Sequence, residues 1–375
     1  MFLVATRALL HKPARLAAAA AALGFLFFLT ATFCGLLVGW CDTTSAIVRN
    51  AGADVWVMAE RTPAFDYGTP IPRRRADQVR SAAGVAATDE MFMGWNYWQC
   101  PDGKRITVEI VGLDRSNAGG PWEMTAGAAE DVHRPDGVIV DELYAPALGV
   151  GRVGDEVEIT GRRAVVVGLC KGVRTFTAAP FVFTSVKAAR KFDPRYAGDE
   201  ITYVLVRSRP GWTPEATAAA IRAEVPHVEA LTADQFAVRT MRFWMLETGA
   251  GISVVLTAVL GLIVGAAVTN QTMYAITQDN LPHYATLMAV GFTKRQLFGC
   301  VAHQAVTLGA IGVILGTAGF LVARAASADG QLPLGLDLRL FAGLVAFSLL
   351  GSGAGGLASV RTVVKVDPAT VFRGG

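Results

Sequence analysis

Charge is what this sequence lacks. Asp, Glu, Lys and Arg make up 17% of its 375 residues, where a soluble globular domain carries about 25%. The shortage is local. No charged residue falls between Leu16 and Cys41, Thr248 and Gln278, Gln296 and Ala323, or Leu340 and Val360. Each run exceeds the ~20 residues a helix needs to cross the hydrocarbon of a bilayer. The remainder has the composition of an ordinary soluble domain.

Other absences narrow the function. There is no GxxxxGK[ST] phosphate loop, so any ATP hydrolysis must belong to a separate chain. GxSxG and HExxH are missing, and no pair of carboxylates stands out, so no catalytic residue is assigned and the chain is not expected to be an enzyme by itself. The five cysteines form no CxxC and no Cys/His ligand spacing, which leaves a metal site without support. Cys34 and Cys300 fall in apolar runs. Cys100 and Cys170 fall in the soluble part, where they are either small buried thiols or a pair formed in an oxidising compartment. A net charge of +3, with no basic tract interleaved with aromatics, excludes nucleic acid as a partner. His133 and His227 are isolated, as surface residues are. Within the apolar runs the only titratable nitrogen is His303, so ion-coupled transport, which places ionisable groups at mid-membrane, is disfavoured.

The four runs predict a membrane protein with four transmembrane helices. The first run is too long for the apolar region of a signal peptide, about 7–15 residues, and bulky Trp40 before Cys41 does not fit a lipoprotein cleavage site. Arg7, Lys12 and Arg15 precede the first run, Lys294 and Arg295 separate the second from the third, and Arg361, Lys365 and Arg373 follow the fourth. Basic residues collect on the cytoplasmic side. The expected order is therefore a cytoplasmic segment 1–15, a first helix 16–41, an extracytoplasmic domain 42–245 and a second helix with its stalk 246–278. A cytoplasmic loop 279–295, a third helix 296–323, a short outer loop 324–339, a fourth helix 340–360 and a cytoplasmic tail 361–375 complete it. Trp40 and Trp244 bracket the outer domain at the level where interfacial aromatics are expected. Phe236, Thr240, Phe243 and Leu246 recur at helical spacing and extend the second helix outward as a stalk.

The stretch 42–245 reads as an α+β domain inserted between helices one and two. Asp54–Met58, Arg105–Val111 and Ile201–Val206 carry the β-branched residues and partial alternation of strands. Asp155–Thr160 and Ala164–Val167 flank a Gly161 turn as a hairpin, and Arg134-Pro-Asp-Gly137 opens a strand at Val138. Helices are expected near Ala76–Ala83 and Pro214–Glu224, the first led by Arg73-Arg74-Arg75, a solvated basic face. Each apolar run also holds glycines four apart: Gly35/Gly39, Gly261/Gly265, Gly312/Gly316 and Gly351/Gly355. Such pairs let helix backbones approach closely, within a chain or in a dimer.

The loop between runs two and three has its own design. Asn280-Leu-Pro-His-Tyr-Ala-Thr-Leu-Met-Ala-Val-Gly291 begins with a capping Asn, places Pro282 early and ends on glycine. That predicts a short helix with Leu281, Tyr284, Leu287 and Met288 on one apolar face, fit for a groove on a partner. At this segment the chain resembles a known family. Met273 to Leu297, MYAITQDNLPHYATLMAVGFTKRQL, is similar to the coupling segment of MacB/FtsX-type ABC permeases, and most of all to the DevC branch with its E-Y-A-T-L-K-A-x-G core. Asp367-Pro-Ala-Thr-Val-Phe-Arg373 resembles the ending of that branch, and Asn50–Trp56 and Gly154–Gly161 resemble outer-domain landmarks of the family. Two positions depart from the pattern: His283 stands where the family has an acidic residue, and Met288 where it has a basic one.

The resemblance implies a MacB-like periplasmic core domain and a permease subunit of a mechanotransmission exporter in the bacterial inner membrane, with both termini cytoplasmic. No cofactor is implied in this chain; ATP and Mg would belong to a partner ABC ATPase, contacted through Asn280, Leu281, Pro282, His283, Tyr284, Thr286, Leu287 and Met288. It also implies a permease homodimer, a periplasmic membrane-fusion adaptor, an outer-membrane channel, and lipidic or other substrates taken from the periplasm or outer leaflet, with membrane lipids as surroundings. Two other outputs stand beside export: FtsX-like signalling to a cell-wall hydrolase, and lipoprotein extraction. The orientation is open to a direct check. A cysteine introduced at Glu215 should react with an impermeant reagent in intact spheroplasts, and one at Lys294 only after permeabilisation; labelling of the latter from outside would reverse the topology.

Overall fold

The computed structural model describes residues 13–177, 179–193, 198–279, 284, 286, 288 and 290–363. They fall into two compact units. One comprises the chain up to Gly39, Ile252–Ala328 and the part beginning at Pro333; the other comprises Trp40–Gly251 and Asp329–Leu332.

Nine helices are described: α1 (Pro13–Arg49), α2 (Arg74–Ser81), α3 (Ala145–Leu148), α4 (Val186–Phe192), α5 (Pro214–Glu224), α6 (Ala233–Leu246), α7 (Ala250–Asp279), α8 (Lys294–Ser327) and α9 (Leu338–Val363). Among the described residues three are long and apolar enough to cross a membrane, over Leu16–Arg49, Gly251–Thr272 and Arg295–Ser327. The expectation of a fourth crossing at 340–360 is corrected by this count. The residues there do form α9, but its described apolar stretch is Leu338–Ala354, about 25 Å of helix against the ~30 Å of a hydrocarbon core. It falls short of a crossing by length, not by hydropathy. The cytoplasmic placement of the C-terminus depended on that crossing and loses this support.

Small residues set the packing of the helical unit. A Cβ on Gly312 would lie 2.8 Å from the Cβ of Leu23, and one on Gly316 would lie 2.9 Å from the Cβ of Phe27; Gly24 of α1 faces both. Here α1 and α8 touch backbone to backbone, the geometry that glycines four apart permit. Gly35 meets Phe320 and the loop at Gly335, and Gly261 lies against Phe33, whereas nothing crowds Gly351. The glycine pairs of α1 and α8 thus face neighbours within this chain. Phe27, Phe320 and Phe341 close the outer half of the unit by ring contacts.

The other unit is built on one large sheet. Its strands are β1 (Val55–Met58), β2 (Ile71–Pro72), β3 (Val85–Gln99), β4 (Arg105–Leu113), β5 (Met124–Ala126), β6 (Gly137–Asp141), β7 (Glu156–Ile159), β8 (Arg162–Cys170), β9 (Phe181–Ser185), β10 (Glu200–Ile201), β11 (Tyr203–Ser208) and β12 (Glu229–Thr232). The order is β12-β1-β11-β3-β4-β9-β6-β8-β5, with β7 pairing β3 and β8, and β10 and β2 forming a separate pair. Most neighbours are antiparallel, while β4–β9 and β6–β8 run parallel. The expected α+β character holds, and so do the 155–167 hairpin and the helix Pro214–Glu224, which Thr213 caps with its side chain. Alternation along the strands sorts the core. Val55 and Val57 pack with Val79 and Ile221 beneath α2 and α5. Trp56 and Met58 face Phe65, Tyr203 and Phe236 on the opposite side. In β4, Val108 and Ile110 join a third cluster with Phe92 and Trp98, so Glu109 must point the other way, toward the Trp56 side. Its cross-strand partners there are Trp95 and Phe181.

Gly316→Ala should destabilise the full chain in detergent by about 1–3 kcal/mol, the usual range for overpacking, because the new methyl meets α1 directly. Gly343→Ala, at a glycine with open space around it, should be neutral or stabilising. Thermal unfolding of both variants makes the comparison, and equal midpoints would remove the α1–α8 contact from the account.

Candidate functional site

The coupling segment is described at Tyr284, Thr286, Met288 and from Val290 onward; Asn280, Leu281, Pro282, His283 and Leu287 lie outside the described residues. Thr286 is exposed. Tyr284, expected to face a partner, is taken up inside its own chain at 3% exposure. It packs with Leu297 and Val301 of α8, and Met288 and Phe298 close the cluster. The Tyr284 hydroxyl donates to Gln304 Oε1 at 2.8 Å. Burial pushes the phenol above its usual range, so it stays a donor at any working pH. The local sequence explains the geometry. Thr293 caps α8: its hydroxyl accepts from the Gln296 amide, and Gln296 Oε1 accepts from the Thr293 amide at 2.9 Å. This capping box fixes where α8 starts, and with it the direction in which Leu297, Val301 and Gln304 project, at spacings of four and three residues along one face. Gln304 was not anticipated from the sequence, although a polar side chain within an apolar run marks a position that needs a partner.

The second cluster lies where the chain enters and leaves the sheet unit. Trp40, at the entry, is buried and meets Phe176 edge to face at 5.6 Å. Phe176 in turn meets Trp244 of α6 at 4.5 Å. Tyr67 and Phe243 extend the group. One polar contact orients it: Trp244 Nε1 donates to Asp66 Oδ2 at 2.7 Å, while Trp95 Nε1 donates to the Asp66 carbonyl at 2.8 Å. The two tryptophans expected as interfacial anchors therefore converge on one phenylalanine. Phe176 and Asp66 escaped sequence reasoning because both are far from either tryptophan along the chain.

α6 covers the residues expected to form a stalk, begins with a capping box of Thr232 and Gln235 and is tied to β12 by a two-pronged Arg239–Glu229 pair at 2.7 and 2.6 Å. It does not run unbroken into α7. The helix stops at Leu246, and Gly249 adopts φ +76°, a conformation that glycine allows at low cost. The charge-free run beginning at Thr248 had concealed this break, since hydropathy does not register backbone conformation.

Cys100 and Cys170 are free, buried and placed in different clusters. Among the described residues no group of three or more His, Cys, Asp or Glu could hold a metal ion.

Residues 21–224 match the family described as the MacB-like periplasmic core domain, and residues 255–368 match the FtsX-like permease C-terminal family. An uncharacterized ABC transporter permease of Mycobacterium tuberculosis is 25% identical over 377 residues, with 100% of both chains covered. A second one from the same organism is 25% identical over 384 residues, again with 100% of both chains covered. Among solved structures, the periplasmic region of MacB from Actinobacillus actinomycetemcomitans is 10% identical with a TM-score of 0.38, covering 50% of this chain and 92% of that one.

Tyr284→Phe should cost about 1 kcal/mol, the net value of one buried hydrogen bond, and Tyr284→Ala about 3–5 kcal/mol through the cavity it leaves. Denaturation of the full chain in detergent reads both, and a Phe variant as stable as wild type would mean that the Gln304 contact contributes nothing.

Proposed function

The chain belongs to the MacB/FtsX-type family of ABC transporter permeases, and we propose that it is the membrane half of an exporter driven from its 280–291 segment. It is a multi-pass membrane protein and a permease subunit, not itself the catalytic one; family identity implies an ABC ATPase partner, which brings ATP and Mg. The observation that carries the exporter reading is the anchored coupling segment. Tyr284 holds the segment against α8, so a push on it from a partner reaches a membrane-spanning helix directly. Leu281 and Leu287 are then the side chains left for an ATPase groove, with His283 in place of the family's acidic residue.

In this reading the N-terminal segment and residues 279–295 are cytoplasmic and the sheet domain is outside, as the distribution of Lys and Arg favours. The coupling segment's likeness to the DevC branch favours a periplasmic membrane-fusion adaptor, an outer-membrane channel and export of lipidic or other substrates from the periplasm or outer leaflet. Spans free of Asp, Glu, Lys and Arg suit a machine that moves its outer domain and offers no polar path through the bilayer. Ile252, Leu256, Leu260 and Ile263 of α7 are exposed at helical spacing, which suits lipid or a second copy of the chain.

The test is ATP turnover of the reconstituted complex. Leu287→Ala removes an interface anchor, which typically costs about 2 kcal/mol or more, and should abolish permease-stimulated hydrolysis while the chain still inserts. Tyr284→Ala should uncouple hydrolysis from substrate movement. Wild-type turnover and export in both variants, or ATP hydrolysis by the purified chain alone, would overturn the reading; activation of a cell-wall hydrolase without export would replace it with signalling.

A further inference from the structure

Beneath the aromatic group at the entry and exit of the sheet unit, two acidic side chains lie together with no basic partner among the described residues. Glu109 is fully buried at 0% exposure and Asp66 nearly so at 4%. Glu109 Oε1 accepts the Thr177 hydroxyl at 2.9 Å. Its Oε2 is buried and meets no donor. Trp95, the cross-strand neighbour of Glu109, donates its indole N–H to the Asp66 carbonyl, which places Asp66 beside Glu109. The two carboxyls act on each other, and two carboxylates are both acceptors unless a proton lies between them.

We propose that Asp66 and Glu109 form a proton-binding site, sharing one proton at neutral pH, and that the singly protonated pair holds Trp244 and with it the root of α6. In the arrangement that satisfies every polar atom, Glu109 is the neutral acid. Thr177 donates to its Oε1, its own hydroxyl donates to Asp66, and Asp66 Oδ2 accepts the Trp244 indole. Burial, and then the neighbouring Asp66 charge, push Glu109 well above the usual carboxylate range. Asp66 is also raised by burial, with its hydrogen bonds from Trp244 and Glu109 acting the other way.

Among the described residues no Lys, Arg or His on the surrounding elements acts on either carboxyl. On β3, Asp89 faces Arg207 and Glu90 faces Arg73. On α6, Arg239 is committed to Glu229, with Arg242 and Glu247 beyond it. In the segment before Thr177, Lys171 pairs with Asp329 and Glu142, and Arg174 acts on Asp141. Tyr203 donates to the Phe65 carbonyl beside Asp66, and Tyr67 faces Trp244 by its ring. Among the described residues the shared proton is therefore the one positive charge available to the pair. Its loss would place two negative charges in an apolar core and weaken the grip on Trp244. The inference stands apart from the exporter reading, since the site would hold α6 whatever the output.

The sign follows from the direction of the shift. A carboxyl raised on folding binds more protons in the folded than in the unfolded chain, so stability is full below the unfolded value of about 4.3 and is lost as pH rises through the folded value. Asp141, also raised by burial, gives the same sign, so the experiment runs in an Asp141→Asn background. Thermal midpoints of the full chain in detergent should fall across pH 5 to 9. Glu109→Gln keeps one donor and one acceptor without titrating, and should flatten that fall. Thr177→Val removes the hydrogen bond that lowers Glu109 and should move the fall to higher pH. Infrared spectra of the parent should show a protonated carboxyl band at pH 7 that Glu109→Gln lacks. If Glu109→Gln does not fold, the parent band and the Thr177→Val displacement decide alone. A parent without that band, or a pH profile that neither variant changes, would overturn the proposal.

Discussion

The hydrogen bond from the Trp244 indole to the Asp66 carboxyl is the contact on which the sheet domain's hold on α6 depends. A domain inserted between two membrane-spanning helices has one way in and one way out, and both must be held if motion at one end is to be felt at the other. Trp40 stands at the way in and Trp244 at the way out, and Phe176 lies against both rings. Ring contacts alone allow a range of angles. A directional 2.7 Å hydrogen bond to a buried carboxyl fixes one of them.

That bond exists because of strand register. Val108 and Ile110 pack into one core cluster, and alternation then commits Glu109 to the opposite face, where the Phe65–Tyr67 turn delivers Asp66. The same face carries Trp56, Phe65, Tyr203 and Phe236 in mutual ring contact. An unpaired carboxylate in such surroundings would cost several kcal/mol, which is why protonation and shared hydrogen bonding govern this corner of the domain.

Much of the architecture was legible in the sequence because it rests on local periodicity and composition. The strands at Asp54–Met58 and Arg105–Val111, the 155–167 hairpin and the two helices of the outer domain all carry their signals within a few residues. The long strand Val85–Gln99 did not, because both its faces are covered over Met91–Asn96 and the alternation that marks a half-buried strand disappears. The fourth crossing was expected from the absence of charge over 340–360, whereas the apolar stretch described there, Leu338–Ala354, is too short to span a hydrocarbon core. The break at Gly249 and the pairing of Asp66 with Glu109 depend on backbone conformation and on contacts between segments distant in sequence. The segment 280–291 was singled out by its composition, but the side to which Tyr284 turns was not, because an apolar face looks the same whether its groove belongs to a partner or to the next helix.

The third membrane-spanning helix gathers the remaining constraints. Near its start Leu297, Val301 and Gln304 receive Tyr284. Along its middle Gly312 and Gly316 bring its backbone against α1. Just beyond its end Asp329 belongs to the sheet unit and pairs with Lys171 at 3.3 Å. In the proposed mechanism a displacement of the coupling segment reaches this helix through one aromatic anchor. The close seam with α1 leaves little room for the two helices to slide independently, since any separation exposes backbone that no side chain covers. A rigid response of the α1–α8 pair is then the favoured one in that mechanism. An exposed ion pair such as Lys171–Asp329 is worth little by itself, so its part is to hold the loop in place rather than to supply energy. In the proposed mechanism the energy comes from the partner ATPase, and the close α1–α8 seam limits what is lost along the helix that receives it.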